Sequence, residues 1–235
     1  TLWAARFHPL APATSGITEI ELAARAIRRD IPTDIKPYQL VELPSRHELW
    51  ASGFASDEIA IVDLATGTVR ASVTVGSNPL SLAATADGAT VFATIADADE
   101  VVAIDAATRT VRTTRAIAGG EGIDDASGAP LHASSPSGLF FDAVSDRLYV
   151  TRAADDAVEV LDASTLASLG TIPVGWYPSA VRVIGDHLVV LDSKGVGTGP
   201  LLEYTEGSES GKERMTGTAS VVALTGLDLA ATTAT

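Results

Sequence analysis

The residues best suited to metal or acid–base chemistry are the four histidines, His8, His47, His132 and His187, and each stands alone. None has a second histidine at strand or helix spacing, and there is no HExxH, so the spacing encodes neither a zinc site nor a metalloprotease. The lack of cysteine removes thiolate ligands, a thiol nucleophile and any disulfide framework. No GxSxG elbow, P-loop or helix-opening GxGxxG is present. Gly195-Val196-Gly197-Thr198-Gly199 is glycine-rich, but it leads into no helix whose N-terminus could hold a phosphate. Acidic pairs invite a calcium reading: Asp57-Glu58, Asp97 with Asp99 and Glu100, and Asp155-Asp156. Calcium needs roughly six to eight oxygens converging on one point. These acids fall on equivalent hairpins that point apart and lack the DxDxDG spacing, so they are expected to keep turns soluble. No catalytic residue, metal or cofactor is assigned.

The elements that carry these residues form one repeated unit. Residues 58–94 read as four short strands with turns at Ala65-Thr66-Gly67, Gly76-Ser77-Asn78-Pro79 and Asp87-Gly88, and no helix fits among them. A strand-opening proline recurs as Pro37, Pro79, Pro136 and Pro178, at intervals of 42, 57 and 42. A strand-closing acid recurs as Glu21, Asp63, Asp105 and Asp162, at 42, 42 and 57. The longer interval is the same unit with a Gly/Ser/Asp-rich insertion at residues 119–135. Four strands per unit of about 40–45 residues is the signature of a β-propeller blade. The fold expected is therefore an all-β propeller of four-stranded antiparallel blades, about five in this chain, read as one domain over 1–235. The blades fall near 1–33, 34–75, 76–120, 121–174 and 175–235, the last split by a second insertion at 193–217. Blade one supplies three strands and lacks its innermost. Residues 219–224 and 229–233 are expected as the third and fourth strands of blade five. The total of nineteen implies an incomplete array from a larger ring, with an apolar blade face open at each end for self-association.

The formal charge of −14 is spread along the chain and opposes binding to nucleic acid or an anionic membrane. The one basic cluster, Arg25 with Arg28 and Arg29, is expected on a solvated outer strand. No apolar run reaches the length of a membrane span. The sequence opens at Thr1 with neither an initiating methionine nor a signal peptide, so a piece of a longer protein is expected.

Leu148-Tyr149-Val150-Thr151-Arg152, Val158-Glu159-Val160-Leu161-Asp162 and Ile172-Pro173-Val174-Gly175 together resemble the YVTN-type β-propeller repeat, with Arg152 where the family has asparagine. The resemblance implies a ring of about seven blades. Gly175-Trp176-Tyr177-Pro178 and Lys194-Gly195-Val196-Gly197 are similar to the last blades of secreted bacterial propellers that precede an alkaline-phosphatase-like phosphoesterase domain. That implies a secreted or periplasmic protein with a neighbouring domain, none of whose chemistry lies in these residues.

The function expected is a non-catalytic binding or scaffolding module whose partner is a protein or neighbouring domain. The candidate contact residues are Asn78 and Trp176-Tyr177 in the linkers between blades, His132 in the first insertion and Lys194 at the start of the second. Trp and Tyr combine large apolar area with a polar tip and suit recognition surfaces. The alternative is a lactonase- or lyase-type propeller enzyme with inner-strand acids such as Glu42 or Asp142 at a central channel. A single asparagine in the whole chain weighs against it.

Overall fold

The computed structural model describes residues 1–7, 15–117, 134–195 and 217–233. They fall into two compact units, Thr1–Ala116 and Ile117–Thr235.

The first unit holds three antiparallel sheets. Sheet I is β1 (Leu2–Arg6), β2 (Gly16–Glu21) and β3 (Ala26–Pro32). Sheet II is β4 (Lys36–Leu43), β5 (Glu48–Phe54), β6 (Glu58–Asp63) and β7 (Thr68–Thr74). Sheet III is β8 (Pro79–Ala84), β9 (Thr90–Ile95), β10 (Glu100–Asp105) and β11 (Thr110–Ala116). The second unit holds sheet IV, β12 (Pro136–Asp142), β13 (Arg147–Arg152), β14 (Ala157–Asp162) and β15 (Ser168–Pro173). Sheet V is β16 (Trp176–Ile184), β17 (His187–Gly195) and β18 (Thr218–Ala223), followed by a short helix α1 (Leu229–Thr233). Each sheet is a meander in which sequence neighbours pair.

Central strands are buried on both faces, and their sequences are accordingly apolar almost without alternation, as in β9, Thr-Val-Phe-Ala-Thr-Ile. Outer strands are polar and exposed, and in β7 only Val73 is buried. Apolar side chains of adjacent sheets fill the gaps. Ile17 and Ile31 pack with Leu49 and Val62 between sheets I and II, while Trp50, Ile61 and Val73 pack with Leu82, Val91 and Val102 between II and III. In the second unit Tyr149 and Val160 pack with Val181, Leu188 and Val190 between IV and V.

Three local devices recur at the repeat spacing and explain its landmarks. A register shift sits after Glu19, Ile61, Ala103 and Val160, between the last two strands of sheets I to IV, and adds twist there. A second shift follows Pro37, Pro79 and Pro136, where proline has no N–H to give the ladder. Two residues on, the freed backbone N–H of Gln39, Ser81 and Gly138 donates to Ser52 Oγ, Thr94 Oγ1 and Thr151 Oγ1 at 3.0, 2.9 and 2.6 Å. The strand-closing acid caps the next turn: Asp63 accepts the N–H groups of Ala65 and Thr66, Asp105 those of Ala107 and Thr108, and Asp162 those of Ser164 and Thr165.

Among the described residues sheet I has three strands, as expected of blade one, but blade five differs. Residues 229–233, expected as its fourth strand, are helical and pack on β15. Asp228 Oδ1 accepts the N–H groups of Ala230 and Ala231, and the Leu-Ala-Ala run that follows favours helix. Gly170, at φ +142°, makes room: a Cβ there would lie 2.6 Å from Leu229 O. β17 also runs on through Gly195, past the expected start of the insertion at 193. The basic cluster lies at the outer strand and its turn with Arg25 and Arg28 exposed, as expected, but it also makes ion pairs. Arg28 Nη1 and Arg29 Nε hold the buried Glu19 carboxylate at 2.9 and 2.5 Å, and Arg29 also donates to Leu64 O. Among the described residues no helix is long and apolar enough to cross a membrane.

Candidate functional site

Of the residues singled out from the sequence, Trp176, Tyr177 and Lys194 come together at one end of sheet V. Trp176 and Tyr177 open β16 rather than lying in a linker, and Trp176 pairs with Gly195 at the end of β17. Trp176 is 45% exposed. Tyr177 sits at φ +58°, a left-handed conformation strained for a bulky residue. Its N–H is held by Asp156 Oδ1 at 2.9 Å, and its ring face receives Lys194 Nζ at 4.0 Å from the centroid.

On the same strand as Lys194, and beside Gly175, lies Asp192, which the sequence reading did not single out. It is 1% exposed; Oδ2 accepts from Ser220 Oγ at 2.7 Å, and Oδ1 has no partner. Gly175 N–H donates to the same Ser220 hydroxyl. A side chain at Gly175 would meet Asp192 Oδ2 at 2.5 Å, which is why glycine precedes the tryptophan. Asp192 and Ser220 lie on either side of the second insertion, so no sequence spacing joins them. Only the Leu-Asp-Ser-Lys-Gly run signalled the aspartate.

Asn78 holds the position in sheet III that Tyr177 holds in sheet V, directly before the blade-opening proline and at φ +62°. Its N–H donates to Ser56 O and its Oδ1 accepts from Ala55 N–H, while its carbonyl accepts from Ala96 N–H and its Nδ2 donates to Asp97 Oδ1. It therefore ties the second hairpins of sheets II and III together. The hairpin acids serve the same end: Asp97 also accepts from Ser77 Oγ, and Asp155 from Ser134 Oγ. Among the described residues, no three His, Asp or Glu side chains gather as a metal site. His132 falls outside the described residues.

Acids held below their ordinary range serve turns and ion pairs. Hydroxyl hydrogen bonds from Ser164 and Thr165, with Thr165 N–H, take Asp162 down to about 2. In the first unit, Glu48 is wholly buried and accepts from Trp50 Nε1, Arg46 Nε, Arg70 and Arg109. Burial raises its pKa, but those hydrogen bonds and the charges of Arg46 and Arg70 outweigh it and lower it. Of the inner-strand acids, Glu42 accepts the Trp3 indole N–H at 2.9 Å, and Asp142 caps its own turn through Val144 N–H and Ser145 Oγ. Asp142 also lines a cleft of about 260 Å³ in the second unit with Arg147, Tyr149, Asp186 and Leu224.

No known family's sequence profile matches the chain, and no curated protein sequence matches it either. Solved structures do. The chain is similar to Kuenenia stuttgartiensis hydrazine synthase, with 22% identity and a TM-score of 0.58, covering 68% of this chain and 43% of that one. It is similar to a chain of a nidogen/laminin complex, at 20% and 0.60, covering 77% and 65%. The WD40 repeats of RRP9 match at 16% and 0.55, covering 69% and 46%. The chain thus spans between 43% and 65% of the length of these structures. The meandering sheets and these neighbours define the fold as a β-propeller of about five blades.

Proposed function

We propose that the chain is a non-catalytic propeller module of the YVTN type that docks a protein partner or neighbouring domain through Trp176, Tyr177 and Lys194. The observation that carries this is the convergence of an exposed tryptophan, a strained tyrosine and a lysine on one sheet end. Large rigid aromatics beside a cation are the usual anchors of protein recognition. The likeness to a chain of the nidogen/laminin complex supports a protein partner. The Gly-Trp-Tyr-Pro and Lys-Gly runs favour a phosphoesterase domain as the neighbour, in a secreted or periplasmic protein with a ring of about seven blades. Exposed apolar side chains on sheet I (Leu2, Ile27) and sheet V (Ile184, Leu191) supply faces for self-association.

The reading is tested with binders selected from a displayed peptide library. Trp176→Ala should weaken their docking more than it lowers stability; a melting drop of more than about 10 °C with docking intact would make the residue core instead. Metal analysis and a lactone and phosphodiester panel address catalysis. Turnover abolished by Glu42→Gln or Asp142→Asn would replace this reading with an enzyme, against the present engagement of both acids in Trp3 and turn hydrogen bonds.

A further inference from the structure

In sheets II, III and IV the outer edge of the third strand is filled: β6 by β7, β10 by β11 and β14 by β15. β18 stands in the same third position, yet among the described residues no strand pairs with its outer edge. Among the described residues, the segment that follows β18 lies elsewhere, with α1 against β15.

The outermost strands of the other sheets carry features that discourage pairing with a stranger. β3 has Arg28, Arg29, Asp30 and Pro32; β7 has Arg70; β11 has Arg112 and Arg115; β15 has Gly170 and Pro173. β18, Thr-Ala-Ser-Val-Val-Ala, has neither charge, proline nor glycine, and its Val221 is 60% exposed. An unguarded edge of this kind is a template for strand addition.

Two of the three filled slots hold a basic strand; the third, β15, has no charge. β7 and β11 both begin Thr-Val-Arg, run antiparallel to their partners and combine β-branched, hydroxyl and basic residues. A basic strand also complements a chain of net charge −14. We propose that the outer edge of β18 accepts an extended, basic, β-branched segment of a protein partner, paired antiparallel. The edge strand shares Ser220 with the hydrogen bonds beside Trp176, but the proposal does not depend on the docking role given to that residue.

The probe is a capped synthetic peptide with the sequence of residues 68–74, titrated into the whole chain by calorimetry, with amide exchange followed on β18. The peptide is expected to bind and to slow exchange at residues 218–223. Val221→Lys, which places a charge on an already exposed side chain, should weaken binding at least about tenfold. Proline in place of Ala71 in the peptide should do the same on the unaltered protein. The proposal is overturned if the peptide does not bind, or if it binds equally well to Val221→Lys and as its proline form. It is also overturned if the edge proves to be occupied by a second copy in a dimer that Val221→Lys dissolves.

Discussion

Replacing Glu48 by glutamine removes one charge and leaves the shape almost unchanged, so it isolates what the buried carboxylate does for the first unit. Glutamine retains an oxygen for the Trp50 indole, 2.9 Å from the present carboxylate. Arg46, Arg70 and Arg109 lose their shared counter-charge, and Arg109 Nε is already buried without a partner. Unpairing a fully buried ion costs about 3–5 kcal/mol. These three guanidinium side chains are 28%, 35% and 31% exposed, so water recovers part of that. The expected loss is about 2–3 kcal/mol, or a melting point about 4–12 °C lower for a chain of this size. The pH dependence has a definite sign. Glu48 is held below its ordinary range in the folded chain, so on acidification the unfolded chain takes up the proton first. Its contribution is therefore whole above the ordinary glutamate value of about 4.3 and is lost as pH falls through the lowered folded value. Thermal unfolding at neutral pH and on acidification is the assay. The gap between parent and Glu48→Gln should be widest at neutral pH and close below pH ~4. A glutamine variant within about 1 °C of the parent at neutral pH, or a gap that widens on acidification, would refute the reasoning.

Thr151→Val keeps the volume but leaves Gly138 N–H buried without an acceptor, and should cost about 1–3 kcal/mol by denaturant unfolding; Thr151→Ser should restore most of it. Gly170→Ala should release α1, since φ +142° excludes a side chain and Leu229 O occupies the space; amide exchange in residues 229–233 should quicken while β13 and β14 stay protected.

The architecture was legible because two landmarks, proline and acid, keep one register along the chain, and the structure gives each a mechanical cause. The hydroxyls of Ser52, Thr94 and Thr151 stand at the same intervals of 42 and 57 and were equally readable, but only the register shift after proline shows what they do. The helix at 229–233 was mistaken for a strand because the count of four strands per blade overrode a local signal, aspartate before Leu-Ala-Ala. Glu48 and Arg109 lie 61 residues apart, and Asp192 and Ser220 meet across an insertion, so sequence spacing could not join them. Trp176, Tyr177 and Lys194 were chosen for residue type and for an expected place in a linker and an insertion, not for contact with one another. Their convergence depends on β17 running three residues beyond Asp192, where the strand was expected to stop.

Hydroxyl-radical footprinting of the chain, free and with a selected binder or the neighbouring domain, tests the docking surface most directly. Three tryptophans act as internal reporters: Trp176 is 45% exposed, Trp50 is buried, and Trp3 donates to Glu42 in the first unit. Oxidation of Trp176 and Tyr177 should fall sharply on binding while Trp3 and Trp50 keep their unbound rates. Protection of Trp3, or of residues around Asp142, with Trp176 oxidised as in the free chain, would contradict the account.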